Sequence, residues 1–458
     1  MCLWTLILVG VGFPSEVGAQ TDSPNILYIV VDDADAENME KYMPRTAALV
    51  RDRGAEFSNF YVAQAQCCPS RASALLGEYP HNHLVQGNIG PSGGYPRFRS
   101  EGHENRTIAA QLQGQGYGTG MHGKYLNDYR HGNVPAGWNS IWIRDNQQMY
   151  DYNATITNGD VKHYGTASAA YADGVTFRQA VSFISRRTGP WFEYVTPTAP
   201  HSPYTDPPGN QPYTRNDFKR PPSFNEADVS DKPAHIRDYP RITSREAIAI
   251  AQRHAGRANK MDYADAQAAE MIRDLRASGE LANTYLVVTS DNGWMEGEHR
   301  KPDSKGVVYE ESTHLPLWIS GPGVVPGTKI EAPTSNVDLF ATFSDMAGEV
   351  TDLRDGIDLL PLMEGTGSTD RQRVLIEGVD DRGFDFDAIV DISHGTRYKY
   401  VEYVSGEKEL YDLNADPYEL ESLHASADPA LLANLAADLD AMRNCSGDTC
   451  QPEPDSNS

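Results

Sequence analysis

Asn25-Ile26-Leu27-Tyr28-Ile29-Val30-Val31-Asp32-Asp33 is an apolar, β-branched run that ends in two carboxylates. From Ile26 to Val31 there is no polar/apolar alternation. A strand of this kind is buried on both faces, as in a parallel sheet covered by helices on either side. Asp32 and Asp33 then fall at the C-terminal edge of that sheet, where open α/β folds bind ligands. Adjacent carboxylates repel unless a cation joins them, and hard oxygen donors suit calcium or magnesium. Taken alone, the pair also reads as a solvated turn. The design recurs later in the chain: Tyr285-Leu286-Val287-Val288-Thr289-Ser290 is a second buried strand, and Asp291-Asn292-Gly293 follows it. There the plainer alternative is an Asn-Gly turn.

Working outward, the runs 57–62, 117–122, 191–196 and 315–320 also read as strands. The segments 43–53, 108–115, 168–187 and 336–347 have helical spacing, and 244–278 reads as one helix or two. This alternation predicts an α/β fold. Two strand ends carry further polar groups. Gly123-Lys124-Tyr125-Leu126-Asn127 follows one, and Ala199-Pro200-His201-Ser202-Pro203 follows another, where flanking prolines fix a histidine. Lone lysines and loop histidines are ordinarily structural or solvated. Residues 130–165 are polar and read as part of a substrate mouth, and 204–242 as a long surface excursion. Beyond about residue 365 short strands are expected at 374–377, 398–404 and 410–413, then an amphipathic helix at 431–442. The predicted layout is therefore a main domain over 20–365, a smaller C-terminal α+β subdomain over 366–445 and a disordered tail over 446–458.

Gln66-Cys67-Cys68-Pro69-Ser70-Arg71-Ala72-Ser73-Ala74-Leu75-Leu76-Gly77 reads as a short helix, with Pro69 in its first turn and Gly77 at its end. Its N-terminus beside Cys67 attracts anions, and Arg71 adds a fork of donors. Cys67-Cys68-Pro69-Ser70-Arg71 with Leu75-Leu76-Gly77 resembles the signature of the sulfatase family. Glu78-Tyr79-Pro80-His81-Asn82-His83 and Gly123-Lys124-Tyr125-Leu126-Asn127 are most similar to its N-acetylglucosamine-6-sulfatase and extracellular heparan sulfatase branch. Gly297-Glu298-His299, Ser304-Lys305-Gly306 and Tyr309-Glu310-Glu311-Ser312 extend the likeness.

The resemblance implies an alkaline-phosphatase-like sandwich, with a large mixed, mostly parallel sheet flanked by helices. It implies that a formylglycine-generating enzyme oxidises Cys67 to formylglycine, whose hydrate attacks sulfur. It assigns Asp32, Asp33, Asp291, Asn292 and the Cys67-derived oxygen to a divalent cation, calcium ahead of magnesium. It gives Lys124, Lys305 and Arg71 the sulfuryl oxygens, and His201 the protonation of the leaving oxygen. Many members carry a histidine two or three residues past the first lysine; here Leu126 and Asn127 stand there, and Asn127 offers only hydrogen bonds. His299 has a structural and a catalytic reading of equal weight. The implied activity is hydrolysis of sulfate esters of sugars or aryl groups. The alternatives are a phosphoester or phosphonate hydrolase on the same fold, or an inactive secreted glycan-binding relative.

The chain has 458 residues and a net charge of -25, which argues against a broad nucleic-acid surface and requires a local basic pocket for a sulfated substrate. Residues 3–13 are apolar and precede small residues at 17–19, a pattern read as a signal peptide over 1–19. That implies a secreted, periplasmic or lysosome-like location, with no transmembrane span elsewhere. Cys445 and Cys450 are spaced for a small disulfide loop, and Cys68 reads as a buried apolar residue.

Overall fold

In the computed structural model β1 (Asn25–Val31) is buried along its whole length. Ile26, Tyr28 and Val30 enter one core with Leu75, Phe340 and Phe343. Leu27, Ile29 and Val31 enter another with Phe183, Met261 and Ile272. This two-sided burial is the reason for the missing alternation. The structure describes residues 23–451, apart from 145, 350–352, 380–382 and 384. The expected signal peptide and residues 452–458 lie outside the described residues.

The large sheet adds β2 (Ala55–Tyr61), β3 (Gly118–Gly123), β4 (Ser140–Arg144), β5 (Tyr152–Ile156), β6 (Val161–Tyr164), β7 (Trp191–Thr196), β8 (Thr284–Ser290), β9 (His314–Ser320), β10 (Thr328–Ile330) and β11 (Thr334–Ser335). Its order is β10-β2-β9-β8-β1-β7-β3-β4-β5-β6, with β11 also on β2. The middle, β8-β1-β7-β3-β4, is parallel. Antiparallel β9 and the β4-β5-β6 meander make the sheet mixed. Within the stretch 130–165, expected to line a mouth, three short strands extend the sheet, and Arg144, Asn146, Gln147 and Gln148 line a cavity.

Helix Ala172–Ile184 and the 35-residue helix Ser244–Ser278 cover one face. The long helix is continuous. Thr243 and Glu246 form a reciprocal cap at its start, and left-handed Gly279 ends it. Within it Gly256 lets Tyr204 approach, since a Cβ there would meet the Tyr204 Cβ at 2.8 Å. The expected helix over 43–53 is shorter, Pro44–Leu49 with a 3-10 turn at Arg51–Arg53, and Ala36–Tyr42 precedes it.

The C-terminal sheet is antiparallel, in the order β12 (Arg373–Val379), β13 (Asp385–Asp391), β14 (Tyr398–Tyr403) and β15 (Lys408–Asp412). Its aspartates at alternate positions hid β13 from a reading based on apolar runs. Leu435, Leu439 and Met442 of helix Pro429–Arg443 pack on Leu375, Ile389 and Tyr400. The sheet's other face shares a core with Tyr61, Met295 and Tyr309 of the main body. A disulfide joins Cys445 to Cys450. The turn Gly447–Cys450 is a 3-10 helix within the stretch expected to be disordered. Among the described residues no helix is long and apolar enough to cross a membrane.

Candidate active site

Four adjacent parallel strands, β8, β1, β7 and β3, end on one edge of the sheet. The register sets Val31 beside Ser290, so Asp32 and Asp291 leave the sheet side by side. The Asp291 N–H donates to the Val31 carbonyl at 3.1 Å. Asp33 takes a left-handed φ of 70°. In a regular strand Asp32 and Asp33 would point to opposite faces. The left-handed turn breaks that alternation, an uncommon conformation for a non-glycine residue and one that clusters at functional sites. One ligand atom from each of Asp32, Asp33, Cys67 and His201 then lies within 4.8 Å of the others.

Cys67 opens the helix Cys67–Leu76, which is buried throughout and closed by left-handed Gly77. At Gly77 a Cβ would meet Phe340 at 2.7 Å. The Cys67 Sγ lies 3.5 Å from Asp32 Oδ1 and 2.8 Å from Lys305 Nζ. Lys305 also contacts Asp33 Oδ1. Lys124 Nζ donates to Asp32 Oδ2 at 2.6 Å.

Arg71 sits deeper than the sequence reading had it. Its Nε donates to Asp291 Oδ2 at 2.9 Å and its Nη1 to the Lys124 carbonyl at 2.6 Å. Its Nη2 lies 3.9 Å from Asp32 Oδ2 without a hydrogen-bond partner. The guanidinium therefore braces two carboxylates and the Lys124 backbone. Asn292 Nδ2 donates to Asp33 Oδ1 at 2.6 Å, while its buried Oδ1 has no partner.

Three carboxylates face three cations here. Burial pulls Asp32 upward, but Lys124, His201, Arg71 and Lys305 together hold it well below the usual carboxylate range. Asp33 is lowered in the same way, chiefly by Lys305 against burial. Asp291 is raised, because burial and Asp32 outweigh Arg71. Burial also pushes the Cys67 thiol up to about 12, despite both lysines. At neutral pH Cys67 is therefore a protonated thiol and a poor nucleophile as encoded.

His201 Nδ1–H donates to the Ser202 carbonyl at 2.6 Å, leaving Nε2 toward Asp33 Oδ2 at 3.6 Å. Gln147 Nε2 is 3.3 Å from the same Nε2. Burial pushes the imidazole down to about 4, against the pull of Asp33 and Asp32. The shift favours a neutral ring.

The donor set fits a hard divalent cation: three carboxylates and an amide oxygen, Asn292 Oδ1, that is otherwise orphaned. The two lysine ammoniums stand among those oxygens.

His299 does not join the Cys67 cluster. It is fully buried, with Nδ1 2.7 Å from Glu226 Oε2 and its ring centroid 4.1 Å from that of Tyr309. Asn127 lies beside Lys124 on a cavity of about 500 Å³, and its buried Oδ1 has no partner. Cys68 is buried in the core, as expected.

Several supporting residues escaped the sequence reading. Arg257 Nη2 donates to the Asp33 carbonyl at 2.6 Å. Lys260 Nζ holds the carbonyls of His201 and Pro203. Trp294 lies 5.6 Å from both Lys305 Nζ and Arg257 Cζ. His254, Arg257 and Lys260 are spaced three apart on one helix, a polar stripe in an otherwise apolar face that was a usable signal. Gln147 had none.

The sulfatase family model matches residues 24–349, and a model described as N-sulphoglucosamine sulphohydrolase, C-terminal, matches 297–444. The N-acetylglucosamine-6-sulfatase of Homo sapiens is 31% identical over 501 residues, covering 98% of this chain and 90% of that protein. A protein solved with its substrate D-glucosamine-2-N,6-O-disulfate superposes with a TM-score of 0.71 at 23% identity, over 92% of this chain and 97% of the other. The phosphonate monoester hydrolase of Silicibacter pomeroyi also gives 0.71, at 22% identity, over 92% and 94%.

Proposed function

The chain belongs to the sulfatase family and is a sulfuric ester hydrolase, and from that premise we propose that it removes sulfate from sulfated sugars with Cys67 converted to formylglycine. The observation that carries this reading is the convergence of Asp32, Asp33, Cys67 and His201 within 4.8 Å, with Lys124 and Lys305 among them. A thiol held protonated by burial supports conversion, since the encoded side chain is unsuited to attack. The substrate class follows the N-acetylglucosamine-6-sulfatase relatives: a sulfate ester on a glucosamine-type sugar.

Asp32, Asp33, Asp291 and Asn292 would hold a divalent cation, with calcium preferred to magnesium for an all-oxygen set. When in place, the cation supplies positive charge against sulfuryl oxygens and the formylglycine hydrate supplies a hydroxyl nucleophile. Lys124 and Lys305 bind the sulfuryl oxygens through Nζ and neutralise charge that builds on them. Arg71 holds Asp291 and the Lys124 backbone in register. His201 handles the proton at Nε2. An anionic sulfate beside the ring opposes the influence of Lys124 and Lys305, and so raises its affinity for the proton it passes to the leaving oxygen. Gln147 orients that ring from the side of the cavity.

A formylglycine-generating enzyme is the required partner. The apolar stretch at residues 3–13 and the Cys445–Cys450 disulfide support export to an oxidising compartment. The test is the mass of the Cys67 peptide from the native host, paired with turnover of an aryl sulfate, glucosamine 6-sulfate, an aryl phosphate and a phosphonate monoester. Conversion of thiol to aldehyde with fastest turnover of the sulfates is expected. An unmodified thiol without turnover would indicate an inactive relative, and preference for the phosphonate would replace the sulfatase reading.

A further inference from the structure

Arg144 ends β4 and is 4% exposed. A guanidinium carries five N–H donors. The one hydrogen bond it makes among the described residues runs from Nη1 to the Gln148 carbonyl at 2.8 Å. Its Nε is buried without a partner. The group lies 5.5 Å from the Tyr152 ring centroid, and among the described residues no carboxylate pairs with it directly. Asp173 and Asp32 attract it from longer range, but burial dominates and lowers its pKa. A buried cation without an opposite charge is costly, by several kcal/mol in general. Elsewhere this protein avoids that cost: Arg371 meets both oxygens of Asp338 at 2.6 and 2.7 Å.

The position of Arg144 explains the exception. It lines the cavity of about 500 Å³ together with Lys124, Asn127, Asp128, Gln147 and Ser202. Lys124 connects that cavity to Asp32, and Gln147 connects it to His201. The cavity therefore opens on the side where the leaving oxygen must stand. Its wall offers the amide side chains of Asn127, Asn146, Gln147 and Gln148, and exposed Asp128 is its carboxylate. We propose that this cleft takes the leaving sugar and that Arg144 binds a second anionic substituent on it, a carboxylate or a second sulfate. The enzyme's preferred substrates then carry two anionic groups. The assignment of the leaving sugar rests on the sulfatase reading above.

The test compares kcat/KM for three sugars: N-acetylglucosamine 6-sulfate, N-sulfoglucosamine 6-sulfate, and glucosamine 6-sulfate joined to a uronic acid. The wild type is expected to favour one doubly anionic sugar by about tenfold or more, and which one identifies the anion. Arg144→Gln should collapse that ratio, and Arg144→Lys should restore part of it. A ratio unchanged in Arg144→Gln, whatever happens to the absolute rates, would overturn the proposal. Calorimetry in a Cys67→Ala background reads the same preference without turnover. If the Arg144-dependent preference appears there while the wild type hydrolyses no sulfate ester, the fault lies with the hydrolase reading. Equal affinities for singly and doubly anionic sugars would remove the second-anion site itself.

Discussion

Lys124 and Lys305 at the edge of the large sheet, and Lys399 beneath the C-terminal sheet, are all surrounded by carboxylates, yet they are held differently. Lys399 spends its ammonium on the Val308 carbonyl at 3.0 Å and on Glu310 and Glu419 at 2.8 Å each. It is fully buried, and the two carboxylates raise its pKa against that burial. Lys124 rests on Asp32 and lines an open cleft. Lys305 rests on Asp33 and on Cys67 itself. An ammonium whose three donors are all taken by fixed acceptors is a cross-link. One with a single carboxylate partner and a free approach can exchange that partner for a bound anion.

The comparison can be broken by mutation. Cys67→Ala should lower sulfate release by at least about 10⁴-fold while the circular dichroism spectrum stays native; residual turnover above one part in a hundred would move the chemistry elsewhere. Lys124→Met and Lys305→Met should each cost about 10²- to 10³-fold in kcat/KM. Lys399→Met should instead cost about 3–5 kcal/mol in urea unfolding, because Glu310 and Glu419 are left buried and unpaired. If the edge variants proved the less stable and Lys399→Met the less active, the distinction would fail.

Metal removal sharpens it. Chelation should abolish turnover and lower the unfolding free energy by about 3 kcal/mol for a site previously held at a hundred times its Kd. Returned calcium should restore both. Asp291→Asn should lose this response, and Lys399→Met should keep it.

The smallest effect is expected at the seam between the two sheets, where His81 Nδ1 lies 3.0 Å from Glu377 Oε1. Burial lowers the His81 pKa, but its contacts with Glu377 and the Cys445 carbonyl outweigh that and raise it to about 9. The folded-state value exceeds that of a free imidazole. Its contribution is therefore complete below about pH 6.5 and fades as pH rises through about 9, by an amount on the order of 1 kcal/mol. Wild type and His81→Gln should then differ in unfolding free energy at pH 6 and converge near pH 10. A gap that widened with pH would contradict the assignment.

Much of the fold was legible wherever burial is two-sided. The strands at 25–31, 191–196 and 284–290 announce themselves because neither face needs polar residues. Strand β13 did not, because Asp385, Asp387 and Asp391 at alternate positions look like a loop when only apolar runs are sought. The residues that converge on Cys67 were legible because they sit at strand ends. Arg144 and Gln147 were not, since an arginine and a glutamine in a polar stretch look solvated until the sheet buries one and turns the other toward His201.

The order of residues alone determined which strands are central, which side chains close them and where a short helix begins, because these depend on local periodicity and caps. Only the folded chain decided that Arg71 braces carboxylates, that His299 stands apart on Glu226 and that Arg144 makes no ion pair among the described residues. Those outcomes depend on distances between segments up to hundreds of residues apart, and on burial, which turns an ordinary charge into one that must find a partner.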